Sequence, residues 1–387
     1  MKRHVLLLFA LQLCQMLMAE IPIIAFCGIP AEHSSAERFR EFRNCGFDIS
    51  IENYGDMNGL QLKAILDVAQ REHVRLIVRS AFFDTRPGNI TRHIKGHPAL
   101  YAYYLEDEPV GEALGRLARK VKAMRVSDDS TRYYVNLMPT YGIENHDKRA
   151  GAYKRYLQQV SALNLPQISF DHYPICDNGI RKDWYRNLEL VRRESMRTNR
   201  SFWAFVLCTP HIYYPQPTLA SLRLQIYSNL VYGAQAIQYF TYWTPHPYGD
   251  YDFHDGPIGL DGKRTKTYML VKNMNQELRR QLFLFDGATI ESVGHLIDIP
   301  DGTTKAANLP RSIKRLRVKG KKGCIVSVVR KNNHQYLAIV NKDLKGKLTL
   351  NIKTDEGAAL LDKQLRPQPL KSMYRITAGD MLIIQLP

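Results

Sequence analysis

Short runs of β-branched and aromatic residues alternate with segments of helical periodicity along most of the chain. The eight runs are almost continuously apolar, a pattern typical of parallel strands that are buried on both faces. They cover residues 21–30, 47–54, 74–80, 100–108, 133–139, 167–175, 202–209 and 236–243. The intervening segments place apolar residues three and four positions apart, which predicts helices. These segments cover residues 35–45, 60–70, 90–95, 111–125, 148–163, 184–198, 219–233 and 266–284.

Eight strand–helix units in about 265 residues match the usual size of a closed (β/α)8 barrel. A doubly wound open sheet is the alternative. It is disfavoured because eight units fit a closed barrel and because no GxGxxG motif follows the first run. We therefore expect an α/β fold, with a (β/α)8 TIM barrel as the catalytic domain over residues 20–286.

The pattern changes after Asp286 to short alternating strands separated by turn signals such as Lys319-Gly320 and Gly379-Asp380. The predicted strands cover residues 312–318, 324–330, 335–341, 347–352, 373–376 and 381–386. We expect a C-terminal all-β sandwich domain over residues 287–387.

The first 19 residues have the pattern of a signal peptide, with a basic start, an apolar middle and the small residue Ala19 at the end. They predict export to the periplasm or the extracellular space. A lipid anchor at Cys14 is the less favoured alternative, because Leu13 stands where a small residue is expected. No later segment of the sequence is long and apolar enough to predict a transmembrane helix.

The composition is basic, with 54 Lys and Arg against 37 Asp and Glu and a net charge of +17 over 387 residues. Residues 311–322 alone contain seven cationic side chains. This stretch is either a solvated basic edge that deters aggregation or a contact surface for anionic glycan or an anionic cell envelope. Nucleic acid is not expected as a partner, because the protein is predicted to be exported and no recognition motif is present.

Cysteines and motifs exclude several chemistries. Beyond the predicted signal peptide, the cysteines have neither CxxC nor Cys/His metal spacing. They are Cys27, Cys45, Cys176, Cys208 and Cys324. The sequence has no HExxH, phosphate-binding loop or GxSxG motif. We expect no metal and no cofactor.

Carboxylates cluster at the end of the fourth run, which is the end of a barrel strand where active sites lie. Period-two alternation would place Tyr104, Glu106 and Glu108 on one face and Asp107 on the other. Neighbouring carboxylates raise one another's pKa, as a general acid requires. The alternative is an acidic entry to the next helix, since Asp and Glu are favoured in first turns.

Polar and aromatic residues also end the other runs. Asp171 is costly as a core residue at the end of the sixth run and is explained by a polar pocket. Carboxylates and amides bind sugar hydroxyls, and aromatic rings stack on sugar rings. The candidate carbohydrate-binding residues are Glu52, Tyr104, Asp107, Asn136, His172, Tyr173, Trp203, Tyr242 and Trp243.

The passage 103–109, Tyr-Tyr-Leu-Glu-Asp-Glu-Pro, resembles the Asn/Asp-Glu-Pro signature of clan A glycoside hydrolases, which include β-galactosidase-like enzymes. Passages 134–139, 169–174 and 239–245 are similar to secreted bacterial barrels assigned as glycoside hydrolases. The resemblance implies a carbohydrate substrate, with Glu108 as the catalytic acid/base and Trp243 as a sugar platform.

The sequence departs from clan A at the end of the seventh run, where the family carries a nucleophilic Glu and residues 202–211 hold no carboxylate. Asp171 is the first choice for the second catalytic group and Glu52 the next. Cys208 is weakly supported because no activating base is identifiable. With that nucleophile missing, we expect Glu108 and Asp171 to act by inversion.

Two functions remain open. One is a glycoside hydrolase that cleaves oligo- or polysaccharides by carboxylate acid/base catalysis. The other is a non-catalytic glycan-binding barrel. The two are distinguished by whether two carboxylates converge across one cleft. The sequence does not determine the sugar, the linkage, exo or endo action, or the oligomeric state.

Overall fold

A computed structural model describes residues 21–387. The predicted signal peptide and the alternative lipid site at Cys14 lie outside the described residues. Eight parallel strands close into a barrel, and each pairs with its neighbours in chain order, which confirms the predicted fold class. They are β1 (Ile23–Phe26), β2 (Ile49–Asn53), β3 (Arg75–Arg79), β4 (Leu100–Asp107), β5 (Arg132–Leu137), β6 (Gln167–Phe170), β7 (Ser201–Leu207) and β8 (Ile237–Phe240).

Helices surround the barrel in the described part of the chain. They are α1 (Ala36–Asn44), α2 (Gly59–Arg71), α3 (Gly88–Ile94), α4 (Glu112–Ser127), α5 (Thr140–His146), α6 (Ala152–Ser161), α7 (Trp184–Thr198), α8 (Leu219–Tyr232) and α9 (Lys266–Phe285). The short α5 was not predicted, because it follows Pro139 and contains Gly142. None of these helices is long and apolar enough to cross a bilayer.

Alternate strand residues face the barrel interior and the helices. Ile24 and Ile51 pack inside the barrel with Tyr104. Their neighbours Ile23 and Ala25 belong instead to the layer between strands and helices. This two-sided burial explains why the runs are continuously apolar.

The C-terminal region forms two antiparallel sheets packed face to face. Its strands are β9 (Thr289–Leu296), β10 (Ile313–Lys319), β11 (Cys324–Lys331), β12 (His334–Asn341), β13 (Leu348–Thr354), β14 (Ala359–Leu361), β15 (Pro367–Pro369), β16 (Met373–Ile376) and β17 (Met381–Gln385). One sheet has the order β9-β11-β12-β17-β14-β15 and the other β10-β13-β16. The expected sandwich is therefore present.

Strand β9 was not predicted. Its apolar residues Ile290, Val293 and Leu296 are three positions apart, which is not a strand period. The structure explains the spacing, because a register shift between Ile290 and Ser292 breaks the alternation.

The larger sheet packs on the barrel through α8 and α9. Val293, Ile325 and Val329 share one apolar cluster with the barrel helices. The contact also carries charge, because Glu277 of α9 bonds Arg223 of α8 at 2.5 Å and lies 3.1 Å from Lys363 of the sandwich. The sandwich is thus held against the barrel helices by both apolar and ionic contacts.

Candidate active site

Strand β4 delivers two carboxylates to the mouth of the barrel, although not those that simple alternation predicts. Its pairing with β5 shifts register between Tyr104 and Glu106, and such a bulge reverses which face each later residue occupies. Glu106 therefore points outward, where Lys120 of α4 donates to it at 3.1 Å. Asp107 turns inward instead. The expectation that Glu106 and Glu108 share the pocket face, with Asp107 opposite, is wrong for this reason.

Asp107 lines the pocket and accepts a hydrogen bond there. The side-chain amide of Asn136 donates to it at 3.2 Å. Desolvation in the pocket raises the pKa of Asp107, and the hydrogen bond from Asn136 opposes that rise. Asp107 is thus a carboxylate oriented by an amide donor.

Glu108 follows directly in a left-handed backbone conformation, with φ of 46°. Such a conformation is costly for a residue with a side chain and concentrates at functional sites. The Glu108 N–H donates to the carbonyl of Asn136 at 2.9 Å, which fixes the backbone. The side chain then reaches Asp171, with which it forms a hydrogen bond.

Asp171 follows β6 and is almost completely buried, with 9% of its surface exposed. It also accepts a hydrogen bond from the Asn136 amide at 3.0 Å. Burial raises the pKa of Asp171 well above its ordinary value, and the charges of Glu108 and Asp107 add to the rise. Two carboxyl groups in direct contact must share a proton, and Asp171 holds it because it is the more deeply buried.

A buried polar network orients the Asn136 amide. The Ser169 hydroxyl lies 3.2 Å from the side-chain oxygen Oδ1 of Asn136. The NH2 group of the same amide therefore faces Asp107 and Asp171. Ser169 in turn accepts from Gln238 at 2.8 Å, and Gln238 accepts from the Tyr134 hydroxyl at 2.9 Å. The chain of contacts crosses the barrel interior beneath the pocket, so strands β5, β6 and β8 hold the acids in place together.

The acids lie at the base of a cavity of about 290 Å³. Its walls are mostly aromatic, and several come from the loops after β7 and β8, residues 211–214 and 248–253. The lining residues are Phe26, Asp107, Glu108, Asn136, Met138, Pro139, Tyr141, Gly142, Asp171, Tyr173, Phe205, His211, Ile212, Tyr213, Tyr214, Phe240, Tyr248, Tyr251 and Phe253. Of the sequence candidates, the structure brings together Glu108, Asp171, Asp107, Asn136 and Tyr173.

His211 is a lining residue that the sequence analysis missed. Its Nδ1 lies 2.9 Å from the Thr209 carbonyl, which can only accept, so Nδ1 carries the hydrogen. Burial lowers the pKa of His211, which keeps the ring neutral and leaves Nε2 as an acceptor. The aromatic-rich sequence from His211 to Tyr214 was the available signal.

Four of the aromatic candidates do not line the cavity. Trp203 and Tyr104 pack inside the barrel below it. Tyr242 packs edge-on against Phe42 of α1, on the outer side of the barrel. Trp243 stacks on His33 with ring centroids 4.6 Å apart, so the sugar platform expected there does not face the pocket.

Glu52 and His172 also lie outside the cavity lining. Burial raises the pKa of Glu52 to about 7, and its carboxylate accepts from the Asn53 N–H at 2.8 Å beside the first strand–helix loop. His172 is buried, with its Nε2 3.3 Å from the carboxylate of Asp183. Its ring packs against Tyr141, so it supports a wall of the pocket from behind.

The spacing of the acids bears on stereochemistry. Direct contact between Glu108 and Asp171 is shorter than the roughly 6.5–9.5 Å that an inverting pair needs to hold a water. Asp107 and Asp171 instead accept from one Asn136 nitrogen at 3.2 and 3.0 Å. Because both oxygens bind one nitrogen, they lie no more than about 6 Å apart. The expectation that Glu108 and Asp171 form an inverting pair does not fit this geometry.

Within residues 21–387, no group of three or more His, Cys, Asp or Glu side chains is arranged to hold a metal ion. The five cysteines in this range are free thiols, and burial raises the pKa of Cys208 to about 12. That shift argues against Cys208 as a nucleophile.

Comparison with known proteins shows the fold. No family model and no curated protein matches the chain. Among solved structures, a β-galactosidase from Bacillus circulans sp. alkalophilus is 9% identical, over 96% of this chain and 99% of that chain, with a TM-score of 0.61. A protein described as a glycoside hydrolase is 10% identical, over 94% and 92%, with a TM-score of 0.58. The chain thus shares its overall fold with these two proteins.

A third solved structure is longer than this chain. It is a β-galactosidase from the psychrophilic Marinomonas ef1, which is 12% identical over 68% of this chain, with a TM-score of 0.48. The chain spans 60% of the length of that protein.

Proposed function

We propose that the protein is a glycoside hydrolase whose proton donor is the Glu108–Asp171 pair. The observation that carries this proposal is the convergence of three carboxyl groups, two of them in contact, at the end of the barrel where catalytic residues lie. A non-catalytic glycan-binding pocket has no need for a buried shared proton, which destabilises the fold at neutral pH.

The shared proton is suited to leaving-group protonation. Glu108 is less buried than Asp171 and lines the open side of the pair, so it meets the glycosidic oxygen. In the donor state the shared proton passes from Asp171 to Glu108, which gives it to that oxygen, and the Asn136 amide then stabilises the Asp171 carboxylate that is left. Asp171 thereby acts as a reserve that keeps Glu108 in the donor state.

Asp107 is suited to the second catalytic role. The Asn136 amide donates to it at 3.2 Å beside the acid pair and opposes the rise in pKa that desolvation causes. In the first step Asp107 attacks the anomeric carbon while the pair protonates the departing oxygen. In the second step the pair takes a proton from water, and that water displaces Asp107 and restores the carboxylate.

The cavity supports a carbohydrate substrate. Its size is at the lower end of the range for small-ligand sites, roughly 300 Å³. Aromatic rings such as Tyr173 and Phe205 offer stacking faces, and His211 offers a hydrogen-bond acceptor. Export to the periplasm or outside the cell is part of the proposal and rests on the first 19 residues.

The test is release of reducing sugar from a panel of neutral and acidic oligosaccharides. Glu108→Gln should remain folded and lose roughly 10²–10⁴ in turnover, the range for a missing acid–base group. Glu106→Gln is the matched control, since the same change two residues away lies outside the pocket and should leave turnover within about twofold. No release by wild type from any member of the panel would favour the glycan-binding barrel, and equal release by wild type and Glu108→Gln would exclude Glu108 as the acid.

A further inference from the structure

The outer face of the three-stranded sheet of the sandwich is covered with cations. Strand register brings side chains from three strands side by side. Arg315 pairs with Lys353, and Lys319 pairs with Thr349, which pairs in turn with Arg375. We call this surface the cationic face, and it consists of Arg315, Arg317, Lys319, Lys353 and Arg375.

The direction of these side chains follows from the sandwich core. Leu316 and Val318 of β10 pack on the apolar core between the two sheets. Leu350 and Ile352 of β13 are buried in the same core. Residues between them in each strand must point the other way, to solvent, and all five members of the cationic face are exposed.

The charges of the cationic face are left unneutralised. Within residues 21–387, none of its five side chains forms an ion pair with an acidic side chain. Neighbouring cations off the face do, since Lys314 pairs with Asp355 at 3.0 Å and Lys322 with Asp343 at 2.8 Å. Cations held close together without anions repel one another, which costs stability unless an anionic partner binds.

The layout fits an extended polyanion. Adjacent strands are about 4.8 Å apart and alternate residues along a strand about 6.8 Å apart, so the cations form a flat grid. The large apolar side chain exposed here is Met373, and Tyr374 turns into the core. With no aromatic ring on the cationic face, a neutral sugar has nothing to stack on, whereas sulfate or carboxylate groups find Arg and Lys donors.

We propose that the cationic face is a binding surface for an anionic polysaccharide, one carrying sulfate or uronic carboxylate groups. The choice of a polysaccharide among polyanions rests on the proposed glycosidase function. The face is separate from the pocket, so it would hold a polymer near the enzyme without taking part in bond cleavage.

Binding of fluorescent dextran sulfate, polygalacturonate and neutral dextran to the full chain tests the proposal. Wild type should bind one or both anionic polymers, bind neutral dextran negligibly, and lose affinity steeply with added salt. The variant Arg315→Gln/Arg317→Gln/Lys353→Gln should bind at least roughly tenfold more weakly, since polyanion affinity depends on the number of cations in contact. Preference for one anionic polymer identifies the charged group.

A matched variant removes three cations elsewhere. Arg119, Lys122 and Lys154 are exposed residues of α4 and α6, and their joint change to Gln should leave polymer binding within about twofold because distant charges are screened. Equal loss in both variants would overturn the proposal, as would no binding to either anionic polymer. Tighter binding of duplex DNA than of both polymers would also overturn it. Activity on a small aryl glycoside should be the same in all three proteins, so failure here leaves the proposed activity standing.

Discussion

The carboxyl group of Asp171 lies in hydrogen-bond contact with that of Glu108, and it accepts a second hydrogen bond from the side-chain amide of Asn136. Burial of Asp171 and the charge of its neighbours raise its pKa, so the folded protein keeps a proton that the unfolded chain releases near pH 4. The acid pair therefore makes stability depend on pH.

The Asp171→Asn variant should reveal this dependence. Wild type is destabilised as pH rises above the unfolded pKa of about 4, and the loss continues up to the raised folded pKa. The Asn variant has no proton to lose and still donates to Glu108. Its free energy of unfolding, relative to wild type, should increase by at least about 1 kcal/mol between pH 4.5 and pH 8, since one pKa unit is worth 1.36 kcal/mol. Urea unfolding at several pH values measures this difference.

A control separates the pair from general charge effects. Asp129 is exposed in the α4–β5 loop, which precedes β5 and so lies at the end of the barrel opposite to the pocket. Asp129→Asn should therefore follow the wild-type pH curve. A constant difference between Asp171→Asn and wild type across the pH range would mean that the pair holds no extra proton.

Tyr251 and Trp243 should respond differently to substitution. Tyr251 lines the cavity and is 40% exposed, with its ring 5.5 Å from that of Phe253. Tyr251→Ala removes a stacking surface and should raise KM by about 2- to 10-fold with little change in kcat, as expected for one aromatic contact. Trp243→Phe should leave KM unchanged, because its ring stacks on His33 outside the pocket. Steady-state kinetics on one substrate checks both expectations. A rise in KM for Trp243→Phe alone would mean that Trp243 contacts the substrate.

Glu277 should stabilise the contact between barrel and sandwich. Burial alone would raise its pKa, but the hydrogen bond from Arg223 and the charge of Lys363 lower it to about 2. Such a depressed pKa stabilises the fold above the unfolded value of about 4.3, and the effect is lost as pH falls towards 2. Glu277→Gln should therefore cost about 1–3 kcal/mol at pH 7 and progressively less below pH 4.

Glu112 provides the comparison for that measurement. It lies 3.9 Å from Arg116 on α4 and is almost fully exposed, so Glu112→Gln should change the free energy of unfolding by less than about 0.5 kcal/mol. If the two variants were equally stable at pH 7, the ionic contact at the domain interface would contribute nothing.

Some parts of this site were predictable from the sequence because they follow from strand ends. Residues that end parallel strands meet at one mouth of a barrel, so Glu108 and Asp171 could be placed together without a structure. Asn136 could be placed for the same reason. Continuous apolar runs likewise predicted the barrel, because burial on both faces leaves few polar positions.

Other parts could not be predicted, because they depend on local backbone shifts. The bulge after Tyr104 places Asp107 in the pocket, where regular alternation would place Glu106. No residue type there signals an extra residue in the strand. Trp243 follows the last residue of β8 by three positions, where the chain has left the strand and alternation no longer gives direction. The aromatic wall at Tyr248 and Tyr251 comes from a loop, whose path depends on tertiary contacts.

The position of Asp107 leads to a prediction about stereochemistry. Asp107 and Asp171 accept from one Asn136 nitrogen at 3.2 and 3.0 Å, and Glu108 contacts Asp171, so the proposed nucleophile and the acid pair form one tight cluster. Such a cluster leaves little space for the attacking water that an inverting enzyme holds between its two carboxyl groups. We therefore expect the first-formed product to keep the anomeric configuration of the substrate, as proton NMR during early turnover would show. Asp107→Ala should lose activity, and added azide should restore turnover to give a glycosyl azide of inverted configuration, because azide then occupies the place of the missing carboxylate. The control variant Glu106→Ala should keep its turnover, and added azide should not change it. A first-formed product of inverted configuration from the wild-type enzyme would exclude Asp107 as the nucleophile, even if Glu108 remained the acid.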